Sequence, residues 1–233
     1  MGERLSVVGF DADDTLWQNE SFFRLTEDRF AELLSDFAED NDLRARLLEF
    51  EKANIGHYGF GIKGFMLSMI ETAVAVTDGR VDGKVIAEIL AMGQEMLRHP
   101  IHLLPHVEET LARVADRHPL VLITKGDLLH QEQKLAASGL GELFAAVEIV
   151  SEKHPGIYDR AFSVHGDGAE RAMMVGNSMK SDIRPALDAG AHAVYVPHGL
   201  TWALEHAETP EGHPRYHELP DLGGLPELIE RLE

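Results

Sequence analysis

Three carboxylates stand within four residues at Asp11-Ala12-Asp13-Asp14, directly after the apolar run Leu5-Ser6-Val7-Val8-Gly9-Phe10. Acidic side chains this close raise one another's pKa unless a cation sits between them. In an extended segment Asp11 and Asp13, two residues apart, point to the same side. A hard cation with oxygen ligands, Mg2+ above all, resolves their repulsion and offers a seat for phosphate oxygens. The competing reading is an acidic loop in which Asp14 and Thr15 cap the turn that follows. Position favours a site, because ligands of open α/β sheets lie at the carboxyl ends of strands.

Three later segments carry chemistry of a matching kind. Thr124-Lys125-Gly126-Asp127 offers a hydroxyl, an ammonium and flexible backbone N–H groups ahead of a helix, a combination suited to an anion. Lys153 follows the run that ends at Val150, and Gly176-Asn177-Ser178-Met179-Lys180-Ser181-Asp182 supplies two oxygen ligands in Asn177 and Asp182. Each has a plain alternative: Thr124 as a turn cap, Lys153 as a solvated loop lysine, Asp182 as a helix N-cap.

The elements needed to hold these residues are legible in the periodicity. Short apolar runs at Leu5 to Phe10, Leu120 to Ile123, Ala145 to Val150, Ala172 to Val175 and Ala193 to Val196 read as strands buried on both faces. Helical patterns at Val107 to Arg117, Leu128 to Ser138, Gly156 to Val164 and Asp182 to Ala189 lie between them. Strands alternating with helices predict an α/β core, a doubly wound parallel sheet. More than 100 residues separate Phe10 from Leu120, far beyond what one crossover needs. That interval carries amphipathic helical spacings such as Phe22, Leu25, Phe30 and Leu33. The expected division is therefore a core of residues 1–17 and 100–233 with an all-α domain, 18–99, inserted after the first strand. The stretch Gly56 to Gly61 reads as a turn or loop inside the insert.

Composition narrows the function. With 21 Lys+Arg against 40 Asp+Glu the net charge is -19, which argues against nucleic acid and anionic lipid as partners. An anionic small substrate then needs a bound cation or well-placed lysines. There is no cysteine, which excludes disulfides and thiolate metal sites. No stretch approaches a membrane span, so a soluble cytoplasmic protein, monomer or homodimer, is expected. The thirteen histidines follow no ligand spacing.

Taken together, the four segments resemble those of the haloacid dehalogenase (HAD) superfamily, in order and over the whole chain. Asp11, Asp13 and Thr15 match its Asp-x-Asp-x-Thr motif, Thr124 its strand-terminal hydroxyl, Lys153 its lysine, and Asn177 to Asp182 its acidic motif. The insert resembles the superfamily's helical cap, and the core its Rossmannoid fold. The resemblance implies a Mg2+-dependent phosphatase acting on a small phosphorylated metabolite. Asp11 would attack phosphorus to form an aspartyl-phosphate, and Asp13 would act as general acid and then base. Mg2+ would be held by Asp11, Asp13, Asn177 and Asp182. Thr124, Lys125 and Lys153 would contact the phosphoryl group, with Lys63 reaching the substrate from the insert. Asn177 stands where many members carry Asp, so Asp182 is expected to bear more of the metal's charge. Dehalogenase-type and phosphomutase activities on the same scaffold, and a non-catalytic phosphate-binding regulatory module, are the alternatives; Asp13 counts against the dehalogenase branch, which needs neither metal nor a second acid there.

Overall fold

The computed structural model describes residues 4–233. The elements run β1 (Val7–Phe10), α1 (Glu20–Leu33), α2 (Asp40–Tyr58), α3 (Ile62–Val76), α4 (Gly83–Leu97), α5 (Val107–Ala115), β2 (Leu120–Lys125), α6 (Leu128–Ser138), β3 (Ala146–Val150), α7 (Pro155–His165), β4 (Ala172–Gly176), α8 (Arg184–Asp188), β5 (His192–Tyr195), β6 (Tyr216–Glu218) and α9 (Leu225–Leu232). They divide into two compact units. Of the described residues, the first comprises 4–18, 101–125 and 131–233, and the second 19–100 together with 126–130.

The first unit is built on one six-stranded sheet of order β3-β2-β1-β4-β5-β6, parallel throughout. Alternate strand residues face opposite sides. Val8, Phe10, Leu120, Leu122, Met173 and Val175 pack with Val107, Leu111 and Val114 of α5 and Leu225, Leu228 and Ile229 of α9. Val7, Val121, Ile123, Ala172 and Met174 turn the other way, onto Tyr158, Ala161 and Phe162 of α7 and Ala186 and Leu187 of α8. Full burial of a side chain such as Phe162 or Leu111 stabilises by about 1.5–3 kcal/mol. Both faces of the sheet are thus sealed, and polar chemistry is left to the strand ends. β1 lies between β2 and β4, so the strand order reverses at β1, and the carboxyl end of β1 is the topological switch point.

The second unit is helical. Phe30, Leu34, Leu43, Leu47, Phe65, Met69, Ala73, Ile89 and Met92 form its core, and Asp82 caps α4 by accepting from the Lys84 N–H at 2.8 Å. The sequence places a loop from Gly56; instead α2 runs on through Gly56 and His57, and the break is confined to Gly59–Gly61. A mid-helix glycine disfavours a helix by only about 1 kcal/mol, which the packing of α2 on α3 outweighs. No helix among the described residues is long and apolar enough to cross a membrane.

Candidate active site

The chain leaves β1 at Phe10 with the Asp11 N–H still paired to the Val175 carbonyl at 2.9 Å, so Asp11 is fixed as though it were a further strand residue. Its carboxylate is buried, 7 % exposed. Lys153 Nζ donates to Asp11 Oδ1 and to Asp182 Oδ1, each at 2.6 Å, and Thr15 Oγ1 donates to Asp11 Oδ2 at 3.1 Å. Burial, then the charge of Asp182, pushes the Asp11 carboxyl up to about 7 even against the opposing pull of Lys153. Lys153 moves up as well: burial disfavours its charge, but Asp11 and Asp182 more than offset it.

Asp13 is held on a separate set of donors. Its Oδ1 accepts from Lys134 Nζ at 2.5 Å and Trp17 Nε1 at 2.7 Å, and its Oδ2 accepts from Gln131 Nε2 at 3.1 Å. Burial acts against ionisation here too. Lys134, aided by the bonds from Trp17 and Gln131, outweighs it and holds the carboxyl below its usual range. Two residues apart in the chain, Asp11 and Asp13 are thus driven in opposite directions.

Gln131 also donates to Thr124 Oγ1 and the Lys125 carbonyl, both at 2.8 Å, so Thr124 is tied to Asp13 through one amide and is not a helix cap. Lys125 is 12 % exposed in its side chain, not solvated; it donates to Glu205 Oε1 at 2.7 Å and Ser181 Oγ at 2.8 Å. Glu205 is held ionised: burial opposes this, and Lys125, Ser178 and Ser181 prevail. Lys63 belongs to the helical unit and pairs with Asp127 of that unit at 2.9 Å.

Asp182 is not the N-cap of the turn that follows β4. Ser178 fills that role, accepting from the Ser181 N–H at 2.9 Å. The carboxylate of Asp182 is spent on Lys153 through Oδ1 and on the Ser178 N–H, at 2.9 Å, through Oδ2. Asp182, expected from the sequence to bear a metal's charge, thus has its oxygens on a lysine and a backbone amide. Among the described residues no group of three His, Cys, Asp or Glu side chains converges as a metal site. What does converge is a mixed set of oxygens. One end of the Asn177 amide lies 3.2 Å from the Asp13 carbonyl oxygen, 3.2 Å from Thr15 Oγ1 and 3.3 Å from Asp11 Oδ2. With the NH2 group at that end the amide has these three acceptors within reach of its two N–H donors; turned over, it adds a third oxygen to those of Asp11 and Asp13. Cis oxygens around octahedral Mg2+ lie about 3 Å apart, close to the spacing of the Asn177 amide position from both Asp11 Oδ2 and the Asp13 carbonyl, so the donor set fits that ion.

Lys134, Gln131, Trp17 and Glu205 were not legible as site residues. Gln131 and Lys134 sit three apart on α6 and so share a face, the one signal that pointed to them. It is a signal that most solvated helix pairs also give.

A family model described as haloacid dehalogenase-like hydrolase matches residues 5–190. The chain belongs to that family. A solved structure of a haloacid dehalogenase-like family hydrolase from Xanthomonas campestris is 40 % identical, with a TM-score of 0.88, covering 99 % of this chain and 93 % of that one. A phosphoserine phosphatase from Thermus thermophilus is 33 % identical over 130 residues, 53 % of this chain and 49 % of that protein, so the match spans about half its length. A glyceraldehyde 3-phosphate phosphatase from Pyrococcus furiosus is 25 % identical across 99 % of this chain and 94 % of that one. L-2-haloacid dehalogenase from Xanthobacter autotrophicus shares the fold, with a TM-score of 0.69 at 20 % identity, covering 98 % of this chain and all of that one.

Proposed function

We propose that this member of the haloacid dehalogenase-like hydrolases is a phosphatase that hydrolyses the monoester of a small phosphorylated metabolite. The observation that carries this reading is the second carboxylate. Asp13, its side chain 25 % exposed, is held by Lys134, Trp17 and Gln131, a set of donors separate from that of Asp11. A haloacid dehalogenase attacks carbon, expels halide and has no leaving oxygen to protonate, so it has no use for such a group; an ester does.

In this reading Asp13 first takes up a proton against the pull of Lys134; Asp11 then attacks phosphorus as the bond to the ester oxygen breaks, and Asp13 gives that proton to the departing alcohol. Asp13 then takes a proton from water, whose oxygen attacks the phosphorus of the aspartyl-phosphate and frees phosphate and Asp11. Lys153 and the Thr124 hydroxyl hold phosphoryl oxygens, while Asp182 anchors Lys153. Lys125, engaged with Glu205 and Ser181, steadies the loop after β4. Mg2+ bound by Asp11 Oδ2, the Asp13 carbonyl and Asn177 would supply the positive charge that phosphoryl transfer needs in so acidic a protein. The helical unit stands, in chain order, where the family carries its substrate-selecting cap; we assign it that role, with Lys63 as a substrate contact.

The test is phosphate release from an aryl phosphate, phosphoserine and glyceraldehyde 3-phosphate, with Mg2+ and with excess chelator, beside halide release from a 2-haloacid. Phosphate release that stops in chelator is expected. Halide release without phosphate release overturns the proposal, and full activity in chelator removes the metal from it.

A further inference from the structure

Asp13 is gripped unevenly. Each carboxylate oxygen offers about two acceptor positions. Lys134 and Trp17 occupy both positions on Oδ1, at 2.5 and 2.7 Å, whereas Oδ2 takes one bond, from Gln131 at 3.1 Å. The grip is rigid. Trp17 is 1 % exposed and Gln131 3 %, and the Lys134 side chain is 10 % exposed. Gln131 and Lys134 come from one turn of α6, which is separated by two residues from the end of β2 with its Thr124 and Lys125, and Gln131 bonds both the Thr124 hydroxyl and the Lys125 carbonyl. α6 therefore fixes the acid/base carboxylate in register with the strand end that carries the hydroxyl.

We propose that Lys134 is a positioning residue for proton transfer. By closing Oδ1 together with Trp17, it leaves Oδ2 as the oxygen that hands a proton to the leaving group and holds that oxygen in one orientation. The inference rests on the phosphatase reading above, in which Asp13 is the acid. Without the ammonium, Trp17 and Gln131 still hold the carboxyl at one point each, but the group can turn about its Cβ–Cγ bond, and misplacement by a fraction of an ångström weakens proton transfer. The loss falls on esters whose alcohol cannot leave without a proton, and spares those whose leaving group departs as a stable anion.

The experiment compares kcat/KM, which reports the steps up to departure of the alcohol, for an alkyl phosphate and for 2,4-dinitrophenyl phosphate with Mg2+ present. Lys134→Met keeps most of the apolar stem and removes the charge. It should lower kcat/KM for the alkyl ester about ten- to a hundredfold and change that for the dinitrophenyl ester by less than about threefold. Lys134→Arg should recover much of the loss. In an Asp13→Asn background Lys134→Met should add nothing, because the two act as one unit. Equal losses on both esters, or none, overturn the positioning role, as does an additive effect in the Asp13→Asn background. If Lys134→Met does not fold, Lys134→Arg alone decides, by whether its loss is larger for the alkyl ester. Should Asp13→Asn itself lose no more on the alkyl ester than on the aryl one, Asp13 is not the acid and the underlying reading falls; a selective Asp13→Asn with an unselective Lys134→Met sinks the Lys134 inference alone.

Discussion

Lys153 divides one ammonium between two buried carboxylates, and the balance of that triad separates catalysis from stability. With Asp11 ionised, two negative charges and one positive leave a net charge of -1 in a place where the three residues are at most 7 % exposed. Removing the carboxylate of Asp11 still leaves Lys153 paired with Asp182. Asp11→Asn should therefore cut turnover on the order of 10^4-fold or more, since an amide does not attack phosphorus. Its unfolding free energy should stay within about 1 kcal/mol of wild type. Lys153→Met removes the bridge and leaves Asp11 and Asp182 facing each other, a loss of about 3–5 kcal/mol. Urea unfolding and steady-state rates on both variants check the pair; an Asp11→Asn protein that turns over normally ends the nucleophile assignment. The acidic run and Lys153 were readable because their chemistry is unusual at strand ends. Lys134 was not, because a lysine on a helix face is ordinarily solvated and nothing local shows that α6 turns this one inward.

At the scale of elements, the turn after β4 is held by a close approach that admits no side chain. A Cβ built on Gly176 would lie 2.3 Å from Asp182 Oδ2 and 2.5 Å from its Cγ, and Asp182 is fully buried with no room to yield. Its carboxylate reaches the Ser178 N–H and Lys153 only because that space is bare. Gly176→Ala should push Asp182 off both partners, lowering stability by about 1–3 kcal/mol as overpacked sites do. Lys153 would be displaced with it, so phosphatase activity should fall further than the stability change alone explains. Thermal unfolding together with the rate at a temperature where the variant is fully folded measures both, and a wild-type profile in each would show that the turn adapts. Strands β1 to β5 and helices α5 to α9 differ in legibility for physical reasons. Five strands were visible as apolar runs because both faces of the sheet are covered. β6 was missed: Tyr216–Glu218 is three residues long, polar and at the sheet edge, where one neighbour suffices. Glu205 was missed because its value lies in reaching Ser178, Ser181 and Lys125 from an irregular segment with no period of its own.

For the molecule as a whole, alternation of strand and helix was enough to foresee the parallel sheet, but not which distant residues the closing strands bring together. His192 and His217 are an instance. They lie 25 residues apart, and the pairing of β5 with β6 stacks their rings 5.4 Å apart at 18°, with Nδ1 of one 3.1 Å from Nε2 of the other. Burial, then His217, then Arg215 bring His192 down to about 4; burial and Arg231 lower His217 as well. A histidine whose folded pKa lies below its unfolded value of about 6.5 binds more protons unfolded than folded. The stability this confers is complete above pH 6.5 and is lost as the pH falls towards 4. Paired carboxylates also weaken on acidification, so the informative quantity is the difference between two proteins. His192→Gln has no proton to gain at that position and relieves His217 of a charged neighbour at low pH. Urea unfolding at pH 7 and pH 5 should show a smaller loss of stability for His192→Gln than for wild type, with the two converging in behaviour above pH 7. An identical fall in both would mean that the stacked pair carries no proton linkage to folding.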